Sequence, residues 1–174
     1  MKKKIIGGFC AALLLSGTSF AQNWMSRFEY EADPEAFRKE EWQLDLFGLY
    51  ATRDLDNSHE ETWGVGLGGN YFFTDKLGLG LSTYVAEVDF PKHIDATFIG
   101  RYPLFEKTYL SLAPYGMVGL GRQFHDGGQW LPHLGVGMEF RMNKATGVFL
   151  DYRRVFASSS DDFDLWRFGV RLVF

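Results

Sequence analysis

From Trp42 to Phe174 apolar residues recur at every second position, in eight runs separated by polar or turn-forming breaks. A period of two is the signature of extended strands, whose successive side chains point to opposite faces. The last run shows it best. Trp166, Phe168, Val170, Leu172 and Phe174 share one face, and Arg167, Gly169, Arg171 and Val173 share the other. The second run sets Trp63, Val65, Leu67, Tyr71 and Phe73 against Gly64, Gly66, Gly68 and Asn70. The third sets Leu77, Leu79, Leu81 and Val85 against Gly78, Gly80 and Ser82. In the fourth, Ile94, Ala96, Phe98, Gly100 and Tyr102 alternate with Asp95, Thr97 and Arg101.

The fifth run, Tyr109 to about Arg122, carries Leu110, Leu112, Val118 and Leu120 on one face. Its Pro114 removes a ladder donor and predicts a break or bulge. The sixth sets Trp130, Leu134, Val136, Met138 and Phe140 against His133, Gly135, Gly137, Glu139 and Arg141. The seventh sets Val148, Leu150, Tyr152 and Phe156 against Asp151 and Arg153. The first alternates Trp42, Leu44, Leu46 and Tyr50 with Gln43, Asp45 and Arg53, although Phe47 and Leu49 spoil the polar face.

The breaks fall into two kinds. Thr74-Asp75-Lys76, Phe105-Glu106-Lys107 and residues 143–146 are short turns, whereas 54–61, 89–93, 123–129 and 157–163 are longer polar loops. Such alternating strands of about 9–13 residues predict an all-β, eight-stranded antiparallel up-and-down transmembrane β-barrel over 42–174. Trp42, Tyr71, Tyr102, Tyr109 and Phe174 collect near one rim of its apolar band; Tyr50, Trp63, Trp130, Phe156 and Trp166 collect near the other. Two aromatic belts suit two membrane–water boundaries. A soluble secreted barrel is the rival, with the apolar face turned inward.

The start of the chain is different. Lys2, Lys3 and Lys4, the apolar run Ile5–Leu15 and the small residues of Ser19-Phe20-Ala21 read as a cleaved signal peptide, residues 1–21. That run is too short to span a bilayer, which takes about 20 apolar residues. Cleavage would remove the sole cysteine, Cys10, leaving no disulfide or thiolate chemistry. It would also take the formal charge from −4 to −7, which argues against nucleic acid as a partner. Residues 22–41 predict a short N-terminal periplasmic arm. Asp33-Pro34-Glu35 looks like a helix start running to about Glu40, while the alternation of Phe28 and Tyr30 suits a strand equally.

The aromatic C-terminus Phe174, with Leu172 two residues and Gly169 five residues back, resembles the assembly signal of bacterial outer-membrane β-barrels. The whole span 42–174 resembles the OmpA-type transmembrane barrel and its barrel-only relatives in strand count, alternation, aromatic belts and terminal Phe. This resemblance implies an outer-membrane location, delivery to the barrel-assembly machinery, closure of the last strand on the first, and outer-membrane lipids as surroundings. Larger members carry a peptidoglycan-binding domain after the barrel; here that tether is expected to be absent. The protein is expected to be a monomer, without cofactors, meeting an extracellular partner through its loops.

Candidate chemistry is sparse. The glycines at 64, 66 and 69 match a dinucleotide-binding spacing, but the strand alternation runs on where a helix is required. Small inward residues leaving room for larger side chains across the lumen explain them better. Among the histidines, His59, His93 and His125 fall in separate loops and His133 faces inward. Ser58-His59-Glu60, or His93 with Asp95, could serve a lipid-modifying enzyme, yet the His-x-Ser-Asn pattern of the lipid A deacylases is missing. No enzyme is expected.

The distinctive constellation is the set of inward charges Asp45, Glu139, Arg141, Asp151, Arg153, Arg167 and Arg171. Simple hairpin registers put Asp151 among Arg153, Arg167 and Arg171, with Asp45 reaching Arg171 at closure. An eight-stranded barrel is just wide enough for side chains to fill it. The expected reading is a salt-bridged plug in a structural and interaction protein; a narrow pore for ions or small solutes is the alternative.

Overall fold

The computed structural model of the protein describes residues 36–55, 58–86, 93–107, 110–124, 128–157 and 162–174. Their strands are β1 (Glu41–Leu55), β2 (Ser58–Phe72), β3 (Leu77–Ala86), β4 (His93–Arg101), β5 (Phe105–Lys107), β6 (Leu110–Gln123), β7 (Trp130–Arg141), β8 (Thr146–Val155) and β9 (Phe163–Val173). They form one antiparallel sheet in the order β4-β3-β2-β1-β9-β8-β7-β6-β5, and β4 also pairs with β6, which closes it. β5 takes over from β4 along the edge of β6, so the two make one wall strand and the barrel has eight. The last strand closes on the first, from Gln43 opposite Val173 to Arg53 opposite Phe163.

The expected break at Pro114 falls instead on the facing strand. β6 runs unbroken through Pro114, which lies opposite Met138. On its other side Arg101 faces Tyr115 whereas Phe105 faces Leu112, so one extra residue is taken up around Pro103. The Tyr102 and Leu104 amides still donate to the Pro114 and Leu112 carbonyls, at 2.9 and 2.8 Å. Pro103, with no N–H to lose, is a suitable residue for such a bulge.

Several breaks are shorter than the sequence suggests. Most of the expected loop 54–61 is ladder, since Leu55 pairs with Ser58 and Asp54 with His59. His93 opens β4 rather than ending a loop, and Phe105–Lys107 is strand rather than turn. Polar residues near a strand end alternate less visibly than apolar ones, so the pattern fades before the hydrogen bonding does. The helix expected through Glu40 is absent from its described part, where 36–40 bend and turn and Glu40 has φ of +59°. Residues 33–35 and the proposed signal peptide and arm before them lie outside the described residues.

The apolar face points outward. Trp42, Leu81, Val136 and Phe174 are 60–68% exposed, and leucines, valines and phenylalanines of every long strand lie between them. A continuous exposed band of this kind needs an apolar surrounding. The soluble-barrel alternative, which requires the opposite orientation, is therefore overturned. Aromatic pairs sit at the strand ends: Trp42 on Tyr71 at 4.7 Å at the turn end, Tyr50 on Trp63 at 4.7 Å and Tyr152 on Trp166 at 4.9 Å at the loop end.

Candidate functional site: the lumen

Strand parity aims the buried charges inward. Odd positions of β1, β4, β7, β8 and β9 face the lumen, which turns Asp45, Asp95, Glu139, Asp151, Arg153, Arg167 and Arg171 inside. With Glu41, Arg101 and Arg141 these make five acids and five arginines, all at least nine-tenths buried. Buried ions of this kind hold only when paired. They fall into two layers.

The layer at the turn end is bonded directly throughout. Arg171 donates Nε and Nη2 to the two oxygens of Asp45, both at 2.7 Å, and Nη1 to Glu139 at 2.6 Å. Arg141 donates Nε to Glu139 at 2.6 Å and Nη1 to Glu41 at 2.8 Å. Arg101 reaches Glu41 at 2.8 Å from another wall. Asn70 Nδ2 donates to Asp45 at 2.8 Å, and Gln43 Nε2 to Glu41 at 2.6 Å. Charge-assisted bonds of this length are the strong kind.

The second layer centres on Asp151, which stands opposite Arg167 in the β8–β9 ladder. Arg167 donates Nε and Nη2 at 2.8 and 2.6 Å, and the Tyr115 hydroxyl donates at 3.0 Å. Gly137 makes room for that contact: a Cβ there would lie 2.5 Å from Tyr115 Cζ and 2.6 Å from Asp151 Cβ. Arg153 is held more loosely, 3.4 Å from Asp151 and 3.7 Å from Asp95. His133 Nε2 lies 3.3 Å from Thr97 Oγ1.

Of the two acids expected near Arg171, Asp45 holds it, together with Glu139, whereas Asp151 is bonded to Arg167. Aromatic rings intervene: the Arg171 guanidinium lies 4.7 Å from the centre of Phe149, and that of Arg167 lies 4.6 Å from Phe47. Phe47 and Leu49, which spoiled the polar pattern of the first strand, belong to an apolar core with Ala51, Tyr84, Phe149 and Leu165. A second apolar group, Leu131, Val155 and Phe163, lies nearer the loops. The inner face is thus half apolar. The inward glycines serve it, since a Cβ on Gly66 would collide with the Phe47 ring.

Phe37 fills the turn-end mouth. It is 2% exposed, with the guanidinia of Arg141 and Arg101 at 4.4 and 4.9 Å from its ring centre. The Ala36 carbonyl accepts from Arg141 and the Arg38 carbonyl from Arg101. Parity alone marks Arg101 and Asp95 as inward. Linking Arg101 to Glu41 takes the cross-barrel geometry, and Glu41 fell on the wrong side of the expected boundary.

On the outside, Arg154 donates to Asp164 at 3.0 Å and pairs with Asp162 at 3.5 Å, and Arg122 lies over Trp130 at 5.0 Å. At the C-terminus, Leu172 and Phe174 face outward, and Phe174 N–H donates to the Trp42 carbonyl at 2.9 Å. Gly169 has a packing role of its own, because a Cβ there would sit 2.8 Å from that of Phe47. His93 and Asp95 both lie inside the barrel, away from the outer face; His125 and the side chains of Ser58 and His59 lie outside the described residues.

No protein-family model matches the sequence, and no curated protein matches it. Solved structures do match. The N-terminal β-barrel domain of Pseudomonas aeruginosa OprF is similar with a TM-score of 0.58 and 15% identity, covering 78% of this chain and 98% of that one. Ail, the attachment invasion locus protein of Yersinia pestis, gives 0.53 and 14%, covering 78% and 99%. The outer membrane protein OprG of Pseudomonas aeruginosa gives 0.53 and 11%, covering 82% and 99%. At these identities the likeness is one of fold.

Proposed function

Because its fold is that of the small eight-stranded outer-membrane barrels, the OmpA-type architecture, we propose that this chain is an integral outer-membrane protein with a closed lumen. Its barrel anchors it, and its loops meet an extracellular partner. The outward apolar band supports the membrane assignment. The observation that carries the closed lumen is the turn-end layer, where Glu41, Asp45 and Glu139 bind Arg101, Arg141 and Arg171 directly, with Phe37 beneath. A pore would have to break these bonds or pass the rings of Phe47 and Phe149.

In planar bilayers the purified protein is expected to show no steady conductance; large, stable channels would replace the plug with the pore. In cells it is expected in the outer-membrane fraction, as a compact band on unboiled gels that shifts on boiling. Recovery from the soluble fraction, with a band unmoved by heat, would refute the membrane assignment. Replacing Phe174 by a polar residue is expected to lower that outer-membrane band, through the barrel-assembly machinery. Unchanged levels would deny Gly169, Leu172 and Phe174 a signalling role.

A further inference from the structure

The outward side chains stand in rows that cross the strands, because the registers set them directly opposite one another. Tyr71, Leu79, Phe98 and Val118 make one row across β2, β3, β4 and β6. Gly69, Leu81, Ala96 and Leu120 make the next, one step nearer the loops. Gly69 and Ala96 are too small to fill their places, and they floor a groove of about 760 Å³ on the outer wall. The larger neighbours and Trp42 wall it, and no charged residue lines it. A Cβ on Gly69 would meet only the Gln43 carbonyl, at 3.8 Å. This glycine therefore leaves open space on the outside rather than room for a neighbour.

The groove ends at Trp42 and Tyr71, in the aromatic belt of the turn end. A cation stands just beyond. Thr74 Oγ1 accepts the Lys76 and Leu77 amides at 3.1 and 2.8 Å, which fixes the turn between β2 and β3. The Lys76 ammonium lies 5.9 Å from the centre of the outward Tyr102 ring, and among the described residues it has no carboxylate partner. Leu79, in the groove wall, is three residues further on, about 10 Å along the strand. Among the residues whose side chains are described, Arg38, Lys39, Lys76 and Lys144 outnumber Glu40 and Asp75 on the surface of this end.

We propose that this groove binds one acyl chain of an anionic phospholipid from the leaflet on the turn side, with the lipid phosphate at Lys76. The site rests on the reading of the chain as a membrane barrel. Inside a membrane the hydrophobic effect favours no apolar face over another, since lipid tails are as apolar as leucine. Contact does discriminate: a chain in the groove touches two walls and a floor, and an empty groove forfeits those contacts. The ammonium then selects among lipids, drawing a headgroup of net negative charge over a neutral one. A second barrel meeting this face by two-fold symmetry would set groove against groove and leave both unfilled.

The test is native mass spectrometry on the full barrel, inserted into vesicles of equal parts phosphatidylglycerol and phosphatidylcholine and released in mild detergent. One retained phosphatidylglycerol per barrel is expected. Gly69→Leu, whose added carbons have space, and Ala96→Leu, at an exposed position, are each expected to abolish retention while the unboiled band stays compact. If only one of them folds, that one decides. Lys76→Gln is expected to keep a lipid but to lower the preference for phosphatidylglycerol by about fivefold. Flotation of the same samples with the vesicles separates this site from the membrane reading. A wild-type barrel that floats but retains no lipid overturns the site alone, as does retention undiminished in a folded groove variant. An unchanged preference in Lys76→Gln overturns the phosphate contact. A barrel that does not float overturns the site and the membrane reading together, and a retained second barrel overturns the lipid as occupant.

Discussion

Asp45 and Arg171 stand directly opposite each other where the first and last wall strands meet, joined by two bonds of 2.7 Å. Ladder hydrogen bonds alone do not choose a register, because a shift of two residues restores the same backbone pattern. The charges do choose: sliding Arg171 by two would set it opposite Gln43 or Phe47.

Removing Arg171 is expected to cost more than removing Asp45, since Arg171 also holds Glu139. Its loss takes an arginine from two buried carboxylates, Asp45 keeping only the Asn70 amide and Glu139 only Arg141. Breaking a buried pair from one side costs about 3–5 kcal/mol. Urea unfolding in lipid vesicles is expected to rank Arg171→Met below Asp45→Asn. The double change Asp45→Asn with Arg171→Met is expected to destabilise by less than the sum of the singles. Additivity within about 0.5 kcal/mol would mean that the pair contributes nothing as a pair.

Asp151 holds the second layer. Asp151→Ala leaves Arg167 and Tyr115 without their acceptor and is expected to lower stability by about 3 kcal/mol, the lower end of the range for breaking a buried pair from one side. Asp75→Ala, at an exposed turn, is expected within about 0.5 kcal/mol of the wild type. Equal melting temperatures for the two variants would remove Asp151 from its central place.

The barrel was legible in the sequence because alternation is local: Trp166 to Phe174 shows its two faces without reference to any other strand. The Asp151–Arg167 and Asp45–Arg171 pairs were legible for a related reason, since antiparallel registers between neighbouring strands follow from turn lengths and closure. What joins distant walls was not. Arg101 meets Glu41 across the barrel, and no spacing in the chain encodes that distance. Phe47 and Leu49 looked like errors in a polar face because a lumen filled partly by rings has no sequence period of its own.

Phe37→Ala is expected to lower stability by about 1–3 kcal/mol through lost burial and two lost cation–π contacts. It is expected not to open a conductance, because the ion pairs of Glu41, Asp45 and Glu139 and the rings of Phe47 and Phe149 remain in place. Steady current from Phe37→Ala alone would make this ring the gate.

Arg154 offers the opposite case. Its side chain is 40% exposed, and its partners Asp162 and Asp164 are partly exposed too. Arg154→Ala is expected to change stability by less than about 1 kcal/mol, an effect fading in high salt. A salt-independent loss of several kcal/mol would show that this rim pair is shielded from solvent.

The strict inward and outward alternation of the wall also bears on which length changes this protein can survive. Deleting one residue from the middle of β9 would reverse the two faces on one side of the deletion, turning Arg167 or Arg171 toward the apolar surroundings and the outward side chains of that half into a space already filled. Deleting two would restore both faces, at the cost of height and of the ion pairs on the side that shifts. Descendants of this sequence should therefore gain or lose residues in pairs within the wall, singly only where a bulge absorbs the odd one, as around Pro103, and freely in the loops.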